Sequence, residues 1–234
     1  MKIIGHRGYS AKFPENTLMA FQGAIDAGAD MIEFDVLLSK DHIPVVIHDD
    51  TLHRTTNGKG LVASLSLKEL KKLDAGQGEA IPTLEEVLQL TQNKIPLHIE
   101  IKSEAVAKNE SGGIEEMTLE LTGKYNIEST CVISSFSTIP LARIRKINPR
   151  IAVAHTFDHS LNDMDKNTIE KLKPQAIHLS IHKIKSSDMD YASVNGLQVS
   201  VYTVNSPVQM KLAQDLCVDG IFTNEVEKAL VFFT

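Results

Sequence analysis

The sequence predicts an α/β protein, a (β/α)8 (TIM) barrel with a small insertion after its second strand. Three observations lead there. Short apolar runs rich in Ile, Val and Leu alternate with amphipathic helical patterns, which implies a parallel sheet with helical crossovers. Eight such units fit into 234 residues, the arithmetic of a barrel of this kind. Titratable residues recur at the ends of several of the runs, beginning with His6-Arg7. A doubly wound open sheet is the runner-up, but no Gly-rich dinucleotide loop follows the first run. No internal repeat or second domain is evident, so residues 1–234 read as one domain.

The first strand is the short run that stops on Gly5-His6-Arg7-Gly8, where glycine lets the backbone turn sharply. Residues 16–28 carry Leu18, Phe21, Ala24 and Ile25 at helical spacing, with Asn16 as the expected N-cap and Gly28 as the C-terminal glycine. Residues 31–38 are expected as a buried strand. A hairpin turn at 39–42 leads to a second extended run at 43–47. The pattern then loosens over about residues 50–82, with a polar loop at 55–60 and a short helix at 66–73. An excursion of that length in a compact domain is more often functional than accidental. Thr83 and Glu86 form a capping box for a helix through Gln92. Strands are expected at 96–102, 130–136, 151–157, 175–181, 198–204 and 220–223. Helices are expected at 114–125, 137–147 and 163–172, with two more starting near Pro207 and Glu225.

Composition narrows the class. The net charge of -6 and the lack of a long Lys/Arg cluster argue against nucleic acid as the main partner. With no Trp and few aromatics, a base-stacking platform is disfavoured. No apolar run approaches the length of a transmembrane span, and the N-terminus lacks a signal-peptide pattern. Cys131 and Cys217 lack metal-ligand spacing and read as reduced core thiols in a reducing compartment. A cytoplasmic enzyme is the expectation, and a homo-oligomer is left open.

Strand parity brings the chemistry together. Side chains two apart on a strand share a face, so Glu33 and Asp35 point one way while Ile32, Phe34 and Val36 point the other. The same parity groups His98, Glu100 and Lys102. Carboxylates inside a barrel cost several kcal/mol each unless paired or bound. A polar layer neutralised by Lys or Arg is one solution; the better one for Glu33, Asp35 and Glu100 is a divalent cation with oxygen ligands, Ca2+ or Mg2+. Zinc fits less well without Cys/His spacing. His6 and His48 at strand ends supply a general acid and base, and Arg7 an anion clamp, a combination suited to phosphodiester cleavage.

The set His6-Arg7-Gly8, Pro14-Glu15-Asn16-Thr17, Glu33-Phe34-Asp35, His48-Asp49 and Glu100-Ile101-Lys102 resembles the glycerophosphodiester phosphodiesterase family. Arg54-Thr55-Thr56, Leu73-Asp74-Ala75-Gly76, residues 81–88, Ser135-Phe136 and Thr203-Val204-Asn205 extend the likeness in order along the chain. The resemblance implies a metal held by Glu33, Asp35 and Glu100, with His6 and His48 as the acid/base pair. It implies Arg7 and Lys102 on the phosphate, Glu15 holding His6 or Arg7, and the excursion at 50–82 capping the mouth. Phe136 and Tyr202 are candidate pocket walls. The implied reaction releases sn-glycerol 3-phosphate and an alcohol from a glycerophosphodiester. Attack by the substrate's own 2-hydroxyl, through a cyclic phosphate, is suggested; direct attack by water is the other route. The chain departs from the family pattern at Asp41-His42, where Asp-Gly is usual, at Tyr202 in place of Trp, and at Asn224 in place of Asp.

Three rival readings fit less well. A lysophospholipase D-like phosphodiesterase would need an apolar acyl channel, and the loop around 55–59 is polar. A non-catalytic barrel binding metal or phosphodiester would be favoured by loss of a histidine, and both are present. A sugar-phosphate isomerase would share the fold without needing this constellation.

Overall fold

The computed structural model describes residues 1–107 and 112–234. Nine strands alternate with helices among these residues: β1 (Lys2–His6), α1 (Leu18–Ala27), β2 (Met31–Leu38), β3 (Pro44–Val46), α2 (Leu67–Leu70), α3 (Leu84–Thr91), β4 (Leu97–Ile101), α4 (Ile114–Lys124) and β5 (Cys131–Ser135) come first. Then follow α5 (Thr138–Ile147), β6 (Ala152–Phe157), α6 (Asp163–Leu172), β7 (Ala176–Ser180), α7 (Ser186–Val194), β8 (Gln198–Tyr202), α8 (Pro207–Asp215), β9 (Gly220–Thr223) and α9 (Val226–Phe233). All strands but β3 are parallel, and β1 pairs with both β2 and β9, which closes the sheet into the eight-stranded barrel. β3 lies antiparallel outside it, along the end of β2.

Register determines what the barrel mouth contains. His6 is paired with Glu33, Glu33 with His98, and Asp35 with Glu100. Paired residues on neighbouring strands project to the same side, so these registers bring the carboxylates of β2 and β4 together beside His6, the last residue of β1. The opposite parity packs outward: Ile32, Phe34 and Val36 are fully buried under helices. Phe21 of α1 meets Phe34 with ring centroids 5.5 Å apart. Gly8 secures the turn after β1. It sits at φ +81°, and a Cβ there would lie 2.6 Å from the Ala20 carbonyl carbon, so only glycine fits.

Most expected elements are present, and the differences have physical causes. Thr17, not Asn16, caps α1, its hydroxyl accepting from Ala20 N–H. Asn16 is buried and donates instead to Asp35. The hairpin turn works without glycine because His42 takes a left-handed φ of 59°, a conformation His visits more readily than most residues. The short helix expected at 66–73 contracts to α2, which begins at a Ser66 capping box with Glu69. Helix α7 carries no clear apolar stripe to announce it: it buries Asp188 and Ala192 and exposes Val194. Asp188 anchors it by accepting from Ser160, from the Leu161 N–H and from the Lys185 N–H. Cys131 is a buried thiol as expected, but Cys217 is exposed in the turn after α8, at φ 55°. Helix α8 ends at Asp215 with Leu216 as its C-cap, so Cys217 falls in the turn beyond it.

Candidate active site

The pocket at the barrel mouth encloses about 210 Å3 and is lined by His6, Arg7, Glu33, Asp35, His48, Glu100, Phe136 and Tyr202, with Ser134, Thr156, His178 and Phe222 beneath. Eight of the ten expected site residues therefore face one cavity. Lys102 and Glu15 stand just behind it. Lys102 donates to Glu100 at 3.1 Å and lies 3.5 Å from Asp35. Glu15 accepts from Arg7 at 2.8 Å, the Arg7 option of the two partners expected for it.

The three acidic residues offer carboxylate oxygens that all lie within 4.8 Å of one another, and no other group of that kind is found among the described residues. Burial, followed by the charges of Asp35 and Glu100, pushes the Glu33 carboxyl well above its ordinary range. Burial and Asp35 push Glu100 up to about 7. Burial also acts to raise Asp35, but Lys102 and Arg7 together outweigh it and hold that carboxylate low. Such mutual repulsion is what a cation relieves, and an all-oxygen donor set of three carboxylates fits a hard divalent ion. Charge balance points the same way. With all three carboxylates ionised, Arg7 and Lys102 would leave one net negative charge. A divalent ion would reverse it to one net positive, the complement of a phosphodiester monoanion.

Arg7 is held by its backbone as well as its side chain. Its φ of 57° lies in the left-handed region, a conformation costing about 1–3 kcal/mol for a non-glycine residue. The N–H so turned donates to Glu33 at 3.0 Å, while Nη1 donates to Glu15. Its Nε is 3.5 Å from Asp35, a charge contact without hydrogen-bond geometry. Burial opposes the Arg7 charge, but Asp35, Glu15 and Glu33 more than restore it.

The two imidazoles are oriented differently. His6 Nδ1 lies 2.7 Å from Asn224 Oδ1 and Nε2 lies 4.0 Å from Glu33. An amide oxygen only accepts, so Nδ1 carries the proton and Nε2 is the basic nitrogen. Burial, reinforced by Arg7, holds His6 down to about 4. His48 Nδ1 lies 2.6 Å from Asp49, whose carboxylate is also gripped by Arg54. At the rim, Phe136 is 43% exposed and meets Tyr202 edge-on at 6.0 Å. The Tyr202 hydroxyl donates to the Phe157 carbonyl, which keeps the ring against the wall.

Asn224, Asp49, Asn16 and Arg54 were not among the expected site residues. Asp49 follows His48 directly, Asn16 and Arg54 lie within the quoted motifs, and Asn224 stands at a departure from the family pattern, so a signal existed for all four. Asn224 is 218 residues from His6 and meets it only because the barrel closes.

A parallel barrel whose mouth gathers three carboxylates, two imidazoles and two cations has the makings of a phosphoryl-group hydrolase. The chain belongs to the glycerophosphoryl diester phosphodiesterase family, whose sequence model matches residues 6–228. It is 37% identical over 233 residues to the glycerophosphodiester phosphodiesterase of Caldanaerobacter subterraneus subsp. tengcongensis, covering 96% of this chain and 94% of that one. A second relative, the Bacillus altitudinis glycerophosphodiester phosphodiesterase, is 36% identical over 243 residues, covering 98% and 96%. Among solved structures, an Oleispira antarctica phosphodiesterase in complex with the product sn-glycerol-3-phosphate superposes with a TM-score of 0.91 at 27% identity, covering 100% of this chain and 96% of that chain. These likenesses support glycerophosphodiester phosphodiesterase function, and with it a place among the phosphoric diester hydrolases. Among the described residues, no helix is long and apolar enough to cross a membrane.

Proposed function

We propose that the chain hydrolyses glycerophosphodiesters to sn-glycerol 3-phosphate and an alcohol, with a divalent cation, Ca2+ or Mg2+, held by Glu33, Asp35 and Glu100. The observation that carries this reading is the convergence of those carboxylates with His6, Arg7 and His48 on one cavity. When bound, the cation supplies Lewis-acid neutralisation of phosphoryl charge. Arg7, which lines the cavity, would hold the phosphate, and Lys102, set behind Glu100 and Asp35, would add positive charge.

His6 Nε2 accepts the proton of the substrate's 2-hydroxyl as that oxygen bonds to phosphorus. The bond from phosphorus to the alcohol oxygen breaks, and His48 donates a proton to the departing alkoxide. In the second half, His48, now neutral, takes a proton from water as the water oxygen bonds to phosphorus. The cyclic ester opens, and His6 returns its proton to the 2-oxygen. Asn224 and Asp49 keep each ring's Nδ1 engaged, so that Nε2 does the transfer.

The whole chain is read as one catalytic barrel, with residues 50–82 as its cap; in support, Arg54 of that segment bonds Glu15 and Asp49 at the mouth. The free thiols of Cys131 and Cys217 suit a reducing compartment, and the cytoplasm is the proposed setting. The test is 31P NMR of glycerophosphocholine and glycerophosphoethanolamine incubated with the enzyme and metal. Release of glycerol 3-phosphate from either, and no turnover of a 2-deoxy analogue, is expected. Equal turnover of the 2-deoxy analogue would replace the cyclic route by direct water attack, and no release from any glycerophosphodiester would overturn the reading.

A further inference from the structure

One guanidinium at the mouth touches neither the pocket nor any carboxylate of the acidic cluster, yet binds the partners of two site residues. Arg54 donates from Nε to Asp49 Oδ2 at 2.6 Å and from Nη2 to Asp49 Oδ1 at 3.0 Å. It donates from Nη1 to Glu15 Oε2 at 2.9 Å and from Nη2 to Glu15 Oε1 at 2.8 Å. Both carboxylates are thus held by two hydrogen bonds each. Glu15 Oε1 also accepts from Arg7, and Asp49 Oδ1 also meets His48 Nδ1. A continuous chain therefore runs from His48 through Asp49, Arg54 and Glu15 to Arg7.

We propose that Arg54 is a positioning residue that locks His48 and Arg7 into one arrangement, so that the proton-transferring imidazole and the phosphate-binding guanidinium are set relative to each other by a group from the 50–82 segment. This rests on the phosphodiesterase reading for its kinetic consequences. The argument is geometric. Glu15 and Asp49 come from different loops, after β1 and after β3, and carry like charges that would drive them apart. Arg54 is the cation between them. Its planar fork satisfies both carboxylates at once, which the single ammonium of Lys cannot do. Its side chain is 41% exposed, so its loss leaves no large cavity in the fold. Without it, Asp49 is free to turn away from His48, and Glu15 from Arg7.

The test compares wild type with Arg54→Ala, Arg54→Lys, Asp49→Asn, Glu15→Gln and the two double variants that combine Arg54→Ala with each carboxylate change. Folding is checked for each by circular dichroism. With glycerophosphocholine, Arg54→Ala is expected to lower kcat by about 10- to 100-fold, the scale at which supporting partners act in such sites. KM is expected to rise as well, because Arg7 loses its alignment. Arg54→Lys should recover only a small part of the loss. Free guanidinium at low concentration should restore part of the Arg54→Ala rate and leave wild type unchanged. Each double variant should be scarcely slower than its worse single. Full additivity in both double variants, or an Arg54→Ala enzyme with wild-type kcat and KM, would overturn the proposal. A second readout needs no substrate: the imidazole 15N shifts of His48. Wild type is expected to show one Nδ1–H signal shifted by its hydrogen bond to Asp49, and Arg54→Ala to lose that shift. If wild type proves inactive while the His48 spectrum responds to Arg54→Ala, the phosphodiesterase reading fails and the positioning role stands. An unchanged His48 spectrum in a folded Arg54→Ala protein removes the positioning role, whatever the activity.

Discussion

His6, at the end of β1, and Asn224, one residue past β9, are joined by a 2.7 Å hydrogen bond between Nδ1 and Oδ1. The bond spans the seam where the first and last strands of the barrel meet, and it selects the tautomer that leaves Nε2 free beside Glu33. Asn224 is itself steadied by its N–H, which donates to Asn205 Oδ1 at 2.8 Å. Replacing Asn224 with Ala removes the acceptor and lets the His6 ring rotate and change tautomer. The expected result is a kcat about 10- to 100-fold lower with little change in KM, measured by steady-state kinetics. A large rise in KM at constant kcat would assign Asn224 to binding instead.

Glu33 gives a prediction with opposite signs in two conditions. In metal-free protein its carboxyl is buried and repelled by Asp35 and Glu100. Glu33→Gln should therefore raise the Tm of the metal-free form. Wild type should gain from added Ca2+ or Mg2+. At a hundredfold excess over Kd the gain is about 3 kcal/mol, or roughly 5–10 °C for a domain of this size. The variant should lose that response. Differential scanning calorimetry with and without metal reads both effects.

Beneath the pocket, His178 is fully enclosed, and burial, helped by the neighbouring His98 and His155, holds its imidazole well below the ordinary value. Its ring lies 5.1 Å from His98 and 4.8 Å from Phe222. The folded state keeps this ring neutral while the unfolded chain takes up a proton near pH 6.5. The unfolded state therefore binds more protons below that pH, and stability falls as pH drops from about 6.5 towards the depressed folded value. The ring therefore lowers stability at pH 5 relative to pH 7. Urea midpoints measured at both pH values check it. His178→Leu should make the fall shallower, leaving the share of His6, His98 and His155, and an equally steep fall in the variant would assign the acid lability elsewhere.

Gly8 tests the turn that presents Arg7. Gly8→Ala places a Cβ 2.6 Å from backbone at φ +81°. The variant should lose more than about 1 kcal/mol of stability, together with activity. A Tm within a degree of wild type would show that the turn relaxes freely.

The barrel was legible because each strand is a compact apolar run, and because the pairs Glu33/Asp35 and Glu100/Lys102 obey the two-residue period of a strand. Once register sets Asp35 opposite Glu100, the acidic cluster follows from the same periodicity. Helix α7 was hidden because Met189 and Ala192 make too weak a stripe, its N-terminus being anchored by the polar Asp188. The cap of α1 was misplaced for a related reason: Asn16 and Thr17 are both good N-caps, and only the fold reveals that Asn16 is committed to Asp35. The orienting partners lie deepest out of reach. Arg54 is 39 residues from Glu15, and local pattern carries no record of contacts made by barrel closure or by a returning loop.

The most direct measurement is glycerol 3-phosphate release from glycerophosphocholine by chelator-stripped protein, with Ca2+ or Mg2+ added back, alongside His6→Ala and Glu33→Gln. Activity restored by metal in wild type and lost in both variants, with all three proteins folded, is the predicted result. Full activity in the stripped enzyme, or in folded His6→Ala, would contradict a metal-dependent mechanism built on these residues.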